Sequence, residues 1–341
     1  MRAVIFPNPG DLQVVERETP SALEGHVVVR VEACGVCGTD LHIYQGEFPA
    51  RFPLIPGHEF AGVVGEAGQG VASLRPGDRV VIDPNLNCGT CRPCQRGLTH
   101  LCRNLIAFGV TNDGGFATHC ALPARQCYKL PADMPFDIAA MTEPVSCCVH
   151  GIDRAQVRPG ETVVIIGAGL IGLIMLQLAL LRGASLVIVS EPDSQKREVA
   201  RSFGAAVTVD PASEDLSTVV MKATNGGADV VIDCVGGAIT AQQAMDLTSE
   251  GARVLLFGVA APDETIQIKP YELFSREISV TGSFINPFTH SSALALLASG
   301  RVRVSEIISH RLSLDEIPKA IELLASRQAR KIIIEPQRVP E

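Results

Sequence analysis

The hydrophobic pattern changes character once along the chain. Up to about residue 146 it consists of short β-like runs, such as Val27-Val28-Val29-Arg30-Val31 and Arg79-Val80-Val81-Ile82. Turns rich in Gly and Pro separate them, Arg75-Pro76-Gly77-Asp78 among them, and long amphipathic helices are hard to find. That pattern predicts a mostly β domain with long functional loops. From Glu161 onward apolar strands alternate with helical stretches. Strands are predicted at 162–166, 186–190, 206–209, 229–234, 253–258 and 278–282, with helices in most gaps, for example 193–203 and 238–249. Six strands joined by crossovers imply a parallel, doubly wound sheet and an α/β fold. After Phe288 come helical stretches at 290–299 and 314–327, then Lys331-Ile332-Ile333-Ile334. The six-stranded sheet has no place for them, so they are expected to return to the first domain. The expected division is 1–146 with 287–341, and 147–286.

One stretch imitates a membrane span. Residues 163–181 carry only Gln177 as a strongly polar side chain, and the length alone would suffice for a span. Gly167, Gly169 and Gly172 interrupt it, with a β-branched run before them and a helix-forming run after. A buried strand, a turn and a buried helix explain the stretch, and no membrane association is expected. Apolar residues make up 46% of the 341 residues, which excludes a disordered chain. The net charge is −8, with no basic run, which argues against a nucleic-acid partner. Residues 1–7 lead into alternating positions without a signal-peptide pattern. Four of the eleven cysteines fall within fifteen residues. Together these features point to metal ligation in a reducing, cytoplasmic setting rather than to disulfides.

Gly167-Ala168-Gly169-Leu170-Ile171-Gly172 matches G-x-G-x-x-G between a predicted strand and a predicted helix. The first Gly permits the tight turn, the second lets backbone approach a pyrophosphate, and the third allows close helix–strand packing. The helix N-terminus adds free N–H groups and a positive dipole end. Glu191, at the end of the second strand, can accept hydrogen bonds from ribose hydroxyls and repels a 2′-phosphate. NAD is therefore favoured over NADP, although Lys196 and Arg197 offer nearby cations. The alternative is a glycine turn that binds nothing. Val235, Val259, Ser283 and Ile285 follow later strands and complete the expected cofactor contacts.

Cys88, Cys91, Cys94 and Cys102 form C-x2-C-x2-C-x7-C. Four thiolates close a tetrahedral shell, so the zinc they would hold is structural. An iron–sulfur centre is the alternative, but the spacing fits neither common ferredoxin pattern. A second donor set is more dispersed: Cys37 in Gly35-Val36-Cys37-Gly38-Thr39-Asp40-Leu41-His42, and His58 with Glu59 in Gly57-His58-Glu59-Phe60-Ala61-Gly62. Cys, His and a carboxylate can share one zinc and leave a coordination position open, as a catalytic zinc requires.

Taken together, these motifs resemble the zinc-containing medium-chain dehydrogenase/reductase family across essentially the whole chain. Gly57-His58-Glu59-x2-Gly62-x5-Gly68-x2-Val71 looks like its zinc signature. The resemblance implies a GroES-like catalytic domain, a Rossmann domain, two zincs per chain, NAD, and a homo-oligomer, with a tetramer favoured. Glu143-Pro144-Val145-Ser146 looks like the Glu-Pro element of polyol and threonine dehydrogenases, which makes Glu143 a zinc ligand, direct or through water. By similarity Glu59 is a ligand too, although family members differ on it. By similarity Asp40 orients His58, with a loop-capping Asp as the alternative. Thr39 places a hydroxyl beside the substrate oxygen. His42 ends a relay near the cofactor ribose, and histidine suits proton exchange with solvent.

The substrate is expected to be a small secondary alcohol. Tyr44, Phe108 and Phe116 fall in loops that face substrate in sorbitol dehydrogenase-like proteins, and each fits a core position equally well. Many animal sorbitol dehydrogenases carry Arg-Tyr where this chain has Ile285-Asn286, which turns the expectation toward other polyols. The run Gly38-Thr39-Asp40-Leu41-His42-Ile43-Tyr44 also resembles threonine dehydrogenases. Those typically carry His where Asn85 stands, so threonine oxidation ranks second. A nucleotide-binding protein without turnover is the alternative from another class.

Overall fold

A computed structural model describes residues 1–338. The chain packs as two units, Met1–Ser146 with the chain from His290 onward, and Cys147–Thr289. The second change of unit falls between Thr289 and His290 rather than after residue 286.

The first unit is built on one sheet. Its order is His310–Leu312, Ile332–Ile334, His26–Val36, Glu59–Ala67, Arg79–Ile82 and Cys127–Lys129, and His119–Pro123 also pairs with His26–Val36. His26–Val36 pairs antiparallel with Glu59–Ala67, and two register shifts bend the pair. Val27, Val29 and Val31 join Phe6, Phe60, Phe116 and Leu122 in one apolar core. The C-terminal segment fills the same core with Ile317, Ile321, Ile332 and Ile334. Ile332–Ile334 pairs antiparallel with residues 34–36. A helix, Gly38–Gln45, stands where only loops were expected. Asp40 starts it by accepting the Cys37 N–H (2.8 Å), and Gly46 ends it at φ +77°.

The second unit is a parallel sheet in the order Val207–Val209, Leu186–Ser190, Thr162–Ile166, Ala228–Asp233, Thr248–Leu256 and Ser279–Gly282. The chain builds outward from Thr162–Ile166 on one side, then crosses to the other. That reversal creates a crevice at the carboxyl end of the first strand. The helix expected at 238–249 ends at Asp246, because Thr248 already pairs in register with Ala228. The apolar run at 163–181 divides into the strand Thr162–Ile166 and the helix Leu170–Leu181. Among the described residues no helix is long and apolar enough to cross a membrane.

Candidate active site

Strand register assembles the first cluster. Gly35 lies opposite Glu59 in the antiparallel pair, so the residue just after one strand meets the residue just before the other. That brings Cys37 to His58. The donor atoms of Cys37, His58 and Glu59 lie within 4.8 Å of one another. His58 and Glu59 are buried, and Cys37 is half-buried. The His58 Nδ1 atom is buried without a hydrogen bond and lies 3.7 Å from Asp40 Oδ1. Burial opposes a charged His58 ring, but flanking Asp40 and Cys37 carry it well above its ordinary value. Thiolate, imidazole and carboxylate around one point are the donor set of a zinc site with three protein ligands. Asp40, fully buried, accepts the N–H groups of Cys37 (2.8 Å) and Gly57 (3.3 Å). It therefore pins both ligand-bearing loops and faces the His58 ring as well.

Thr39 Oγ1 lies 3.7 Å from Cys37 Sγ, on the same helix as His42. His42 is exposed, and its Nδ1 is 2.7 Å from Glu47 Oε2. Sequence reasoning overlooked Glu47, which the αL turn at Gly46 folds back onto the helix end. It also overlooked Lys331. That side chain is 2% exposed, its ammonium bonds Glu59 Oε2, and it donates to the Val36 carbonyl at 2.9 Å. Burial works against the Lys331 charge, but Glu59 and Cys37 outweigh it and the ammonium is held protonated.

Other expected residues stand apart from this cluster. Glu143 is buried in the first turn of the helix Thr142–Ala155 and is not among the three donors that meet within 4.8 Å. Phe108 and Phe116 belong to the packed core, Phe116 fully buried. Tyr44 packs edge-on against Phe6, and its hydroxyl donates to the Gly10 carbonyl at 3.1 Å. The structure thus places all three aromatic residues in packing roles.

The four cysteines converge. Cys91 Sγ is 3.4 Å from Cys94 Sγ and 3.8 Å from Cys102 Sγ, and Cys102 Sγ is 3.5 Å from Cys88 Sγ. Sulfurs bound tetrahedrally at about 2.3 Å from zinc would stand about 3.8 Å apart. Backbone N–H groups of Cys88 and Asn104 point at Cys102 Sγ, each at 3.3 Å. Amides of Thr90 and Cys91 pull the Cys88 thiol down to about 5, whereas desolvation pushes Cys94 up to about 12. The first shift favours the thiolate a metal needs, and the second favours the protonated thiol until a bound cation offsets it.

In the second unit every expected cofactor residue lies at the carboxyl ends of the parallel strands. Gly167 follows Thr162–Ile166 at φ +96°, and Gly169 caps the helix Leu170–Leu181 with nothing within 4 Å of a would-be Cβ. That open cradle, together with the first-turn N–H groups at Leu170 and Ile171, which lie beyond the reach of any carbonyl within the helix, fits a pyrophosphate. Glu191 is buried, and its oxygens accept the Ala168 N–H (2.7 Å) and the Asp193 N–H (3.1 Å). Arg197 is committed elsewhere, to the carbonyls of Glu191 and Pro192 (2.7 Å each) and to Asp210 (3.1 Å). Val235, Val259, Ser283 and Ile285 sit in the loops after the fourth, fifth and sixth strands. At Gly172 a Cβ would lie 1.8 Å from the Gly167 carbonyl oxygen. Gly172→Ala is therefore expected to cost about 3 kcal/mol or more, read as a lower melting temperature, and to weaken dinucleotide binding in a titration. A melting temperature equal to the parent's would mean the loop is not this tightly packed.

Residues 23–132 match the family model described as an alcohol dehydrogenase GroES-like domain, and residues 171–299 the model described as a zinc-binding dehydrogenase. The chain is 34% identical to D-arabinitol dehydrogenase 1 of Uromyces fabae, over 98% of this chain and 97% of that protein. It is also 34% identical to an L-threonine 3-dehydrogenase of Pyrococcus horikoshii, over 98% of each. A solved structure of a zinc-binding dehydrogenase from Sinorhizobium meliloti, bound to NADP, superposes with a TM-score of 0.95 at 42% identity, covering 98% of this chain and 99% of that one. With the donor clusters and the glycine turn in place on this fold, the chain belongs to the zinc-containing medium-chain dehydrogenase/reductase family.

Proposed function

We propose that the protein oxidises a secondary alcohol of a polyol or sugar-alcohol-like substrate, with one catalytic zinc, one structural zinc and NAD. The observation that carries this reading is the meeting of Cys37, His58 and Glu59 at the ends of paired strands. When bound there, zinc supplies Lewis-acid polarisation of the alcohol oxygen, and the nicotinamide accepts hydride.

The chain's own residues do the rest. Cys37 and His58 hold the metal, while Asp40 fixes their loops through two backbone N–H groups. Thr39, beside the Cys37 sulfur, offers a hydroxyl oxygen to the alcohol proton. His42 and Glu47, both exposed, exchange that proton with water. Glu143 is proposed to approach the metal from the start of its helix during turnover. Glu191 receives the adenosine ribose hydroxyls, since each of its oxygens keeps a lone pair beyond its backbone bond.

NAD is preferred in this reading because Glu191 repels a 2′-phosphate while Arg197 is held by two carbonyls and Asp210. Threonine is the second candidate substrate, on the likeness to L-threonine 3-dehydrogenases. Polyols rank first, because Asn85 stands where the resemblance places the His of threonine enzymes. A homo-oligomer, with a tetramer favoured, belongs to the same proposal. It is supported by Ser279–Gly282, an edge strand of the sheet that has exposed Tyr271 and Phe274 in the preceding helix. A reducing, cytoplasmic setting belongs to the same proposal, because it assigns five of the eleven cysteines to metal rather than to disulfides.

The test is the growth of reduced-nicotinamide absorbance with a panel of polyols, threonine and simple secondary alcohols, using NAD and NADP in parallel. A polyol with NAD should give the highest kcat/KM, and Glu191→Ala should lower the NAD preference by about tenfold, the scale of one lost charge-assisted hydrogen bond. Threonine outpacing every polyol would reverse the substrate ranking. A parent that prefers NADP would overturn the role of Glu191.

A further inference from the structure

His58 and Glu59 follow Gly57, whose backbone is held from two sides. Its N–H donates to Asp40 Oδ1 at 3.3 Å. Its carbonyl accepts the Gly115 N–H at 2.7 Å, while the Ile55 and Pro56 carbonyls accept the N–H groups of Gly114 (2.7 Å) and Phe116 (2.9 Å). Asp113 Oδ1 accepts the Ile55 N–H in return, at 3.0 Å. Backbone lies directly against backbone here. A Cβ on Gly109 would stand 2.3 Å from the Gly57 carbonyl oxygen and 2.7 Å from the His58 nitrogen, and a Cβ on Gly114 would stand 2.3 Å from the same oxygen. So close an approach is open only to glycine.

The other end of this segment belongs to the cysteine lobe. Ile106–Ala107 leaves the lobe paired with Asn85–Leu86, and the Phe108 N–H donates to the Pro84 carbonyl at 3.0 Å. The Ala107 carbonyl then gathers the N–H groups of Val110 (3.0 Å), Thr111 (2.8 Å) and Asn112 (3.3 Å). Thr111 Oγ1 accepts the Ala107 N–H at 2.9 Å. The turn is thereby tied to the strand that closes the lobe, and it carries Gly109 and Gly114 onto Gly57. We propose that residues 107–116 are a brace that transmits the order of the cysteine lobe to the catalytic donors, with Gly109 and Gly114 as positioning residues for His58 and Glu59. This rests on the zinc reading above. A loosened ligand backbone must be ordered again each time the ion binds, and that entropy weakens the hold on the metal. The structural ion thus helps to keep the catalytic one in place.

The test uses full-length protein with zinc retained in the four-cysteine site and cobalt(II) placed in the Cys37–His58–Glu59 site. Gly114→Ala drives a methyl group into the Gly57 carbonyl. It should lose cobalt to a chelator about tenfold faster than the parent, the scale at which groups behind the ligands act on metal affinity. Its d–d absorption should shift, and hydrogen exchange across residues 55–60 should quicken. Thr111→Val, which only unties the turn, should move all three readouts the same way by a smaller amount. Val27→Ala is the control. Val27 is fully buried in the same unit, paired with Ala67 and Leu122 at the end of its strand remote from Cys37. That variant should melt earlier yet release cobalt within about twofold of the parent. Parent-like spectra and release in both Gly114→Ala and Thr111→Val overturn the proposal. So does a Val27→Ala that releases cobalt as fast as they do, since release would then follow general stability. Should Gly114→Ala fail to fold, Thr111→Val against Val27→Ala decides. For the lobe's part, Cys94→Ala held below its melting transition should exchange faster across 107–116 and 55–60, and faster exchange confined to 88–102 would sever the lobe from the brace. A parent that takes up no cobalt in this site fails at the zinc reading itself, while exchange at 55–60 in Gly114→Ala still reports the brace.

Discussion

Cys37→Ala is expected to lower kcat by about a thousandfold or more while leaving dinucleotide affinity within about twofold of the parent. Lewis-acid stabilisation is worth several kcal/mol, and each 1.36 kcal/mol is a factor of ten in rate. The cofactor loop at Gly167 belongs to the other unit of the chain, so its binding does not depend on the thiolate. His58→Ala should behave alike, because the proposed site uses its ring as the second ligand. Steady-state kinetics, fluorescence titration with reduced cofactor and metal content together check the expectation. Metal content should fall from two zincs per chain to one. Near-normal turnover in either variant would contradict the assignment of the site.

The second large effect concerns the four-cysteine lobe. Between Asn85 and Ala107 the chain forms only two paired residues at each end, the one-turn helix Arg92–Gln95 and a 3₁₀ turn, Thr99–Leu101. Of its residues, only Leu86, Ile106 and Ala107, at the base, pack against the unit's apolar core. Structural zinc contributes folding free energy outright, about 10–16 kcal/mol apparent in isolated zinc-finger peptides. Cys94→Ala removes one of the two buried thiols of the cluster and should destabilise the first unit by about 4 kcal/mol or more, in the range where loss of a metal is the usual cause. A lowered melting transition and protease cleavage between residues 88 and 102 are the expected signs. An unchanged melting curve with one zinc lost would show the lobe to be held by something else.

What the sequence revealed follows from how local each signal is. The glycine turn lies inside one strand–helix unit, and its three glycines mark it without any tertiary information. The Rossmann strands were legible because buried parallel strands read as short, continuous apolar runs. Cys88 to Cys102 was legible because all four cysteines sit in one short loop. The catalytic cluster was only half legible. Cys37 and His58 are recognisable by their flanking motifs, but their meeting depends on register, with Gly35 opposite Glu59. Lys331 was invisible for the same reason, since nothing near it in sequence marks a lysine as buried. The adjoining Ile332-Ile333-Ile334 run was the available hint, because a strand buried along its whole length carries its first residue inward. For Tyr44, Phe108 and Phe116 the sequence left pocket and core open, because an aromatic residue outside a regular hydrophobic pattern carries no local mark of what packs on it. The helix Gly38–Gln45 was missed because its start depends on Cys37 and Asp40, two residues read first as chemistry.

The most direct measurement is reduced-nicotinamide formation from the best polyol as a function of zinc bound per chain, with the more labile zinc removed by mild chelation and then restored. Rate should fall in proportion to loss of the labile ion, reach the background when one zinc per chain remains, and return when the second is added back. Full turnover by protein carrying only the zinc of the four-cysteine site would contradict the account.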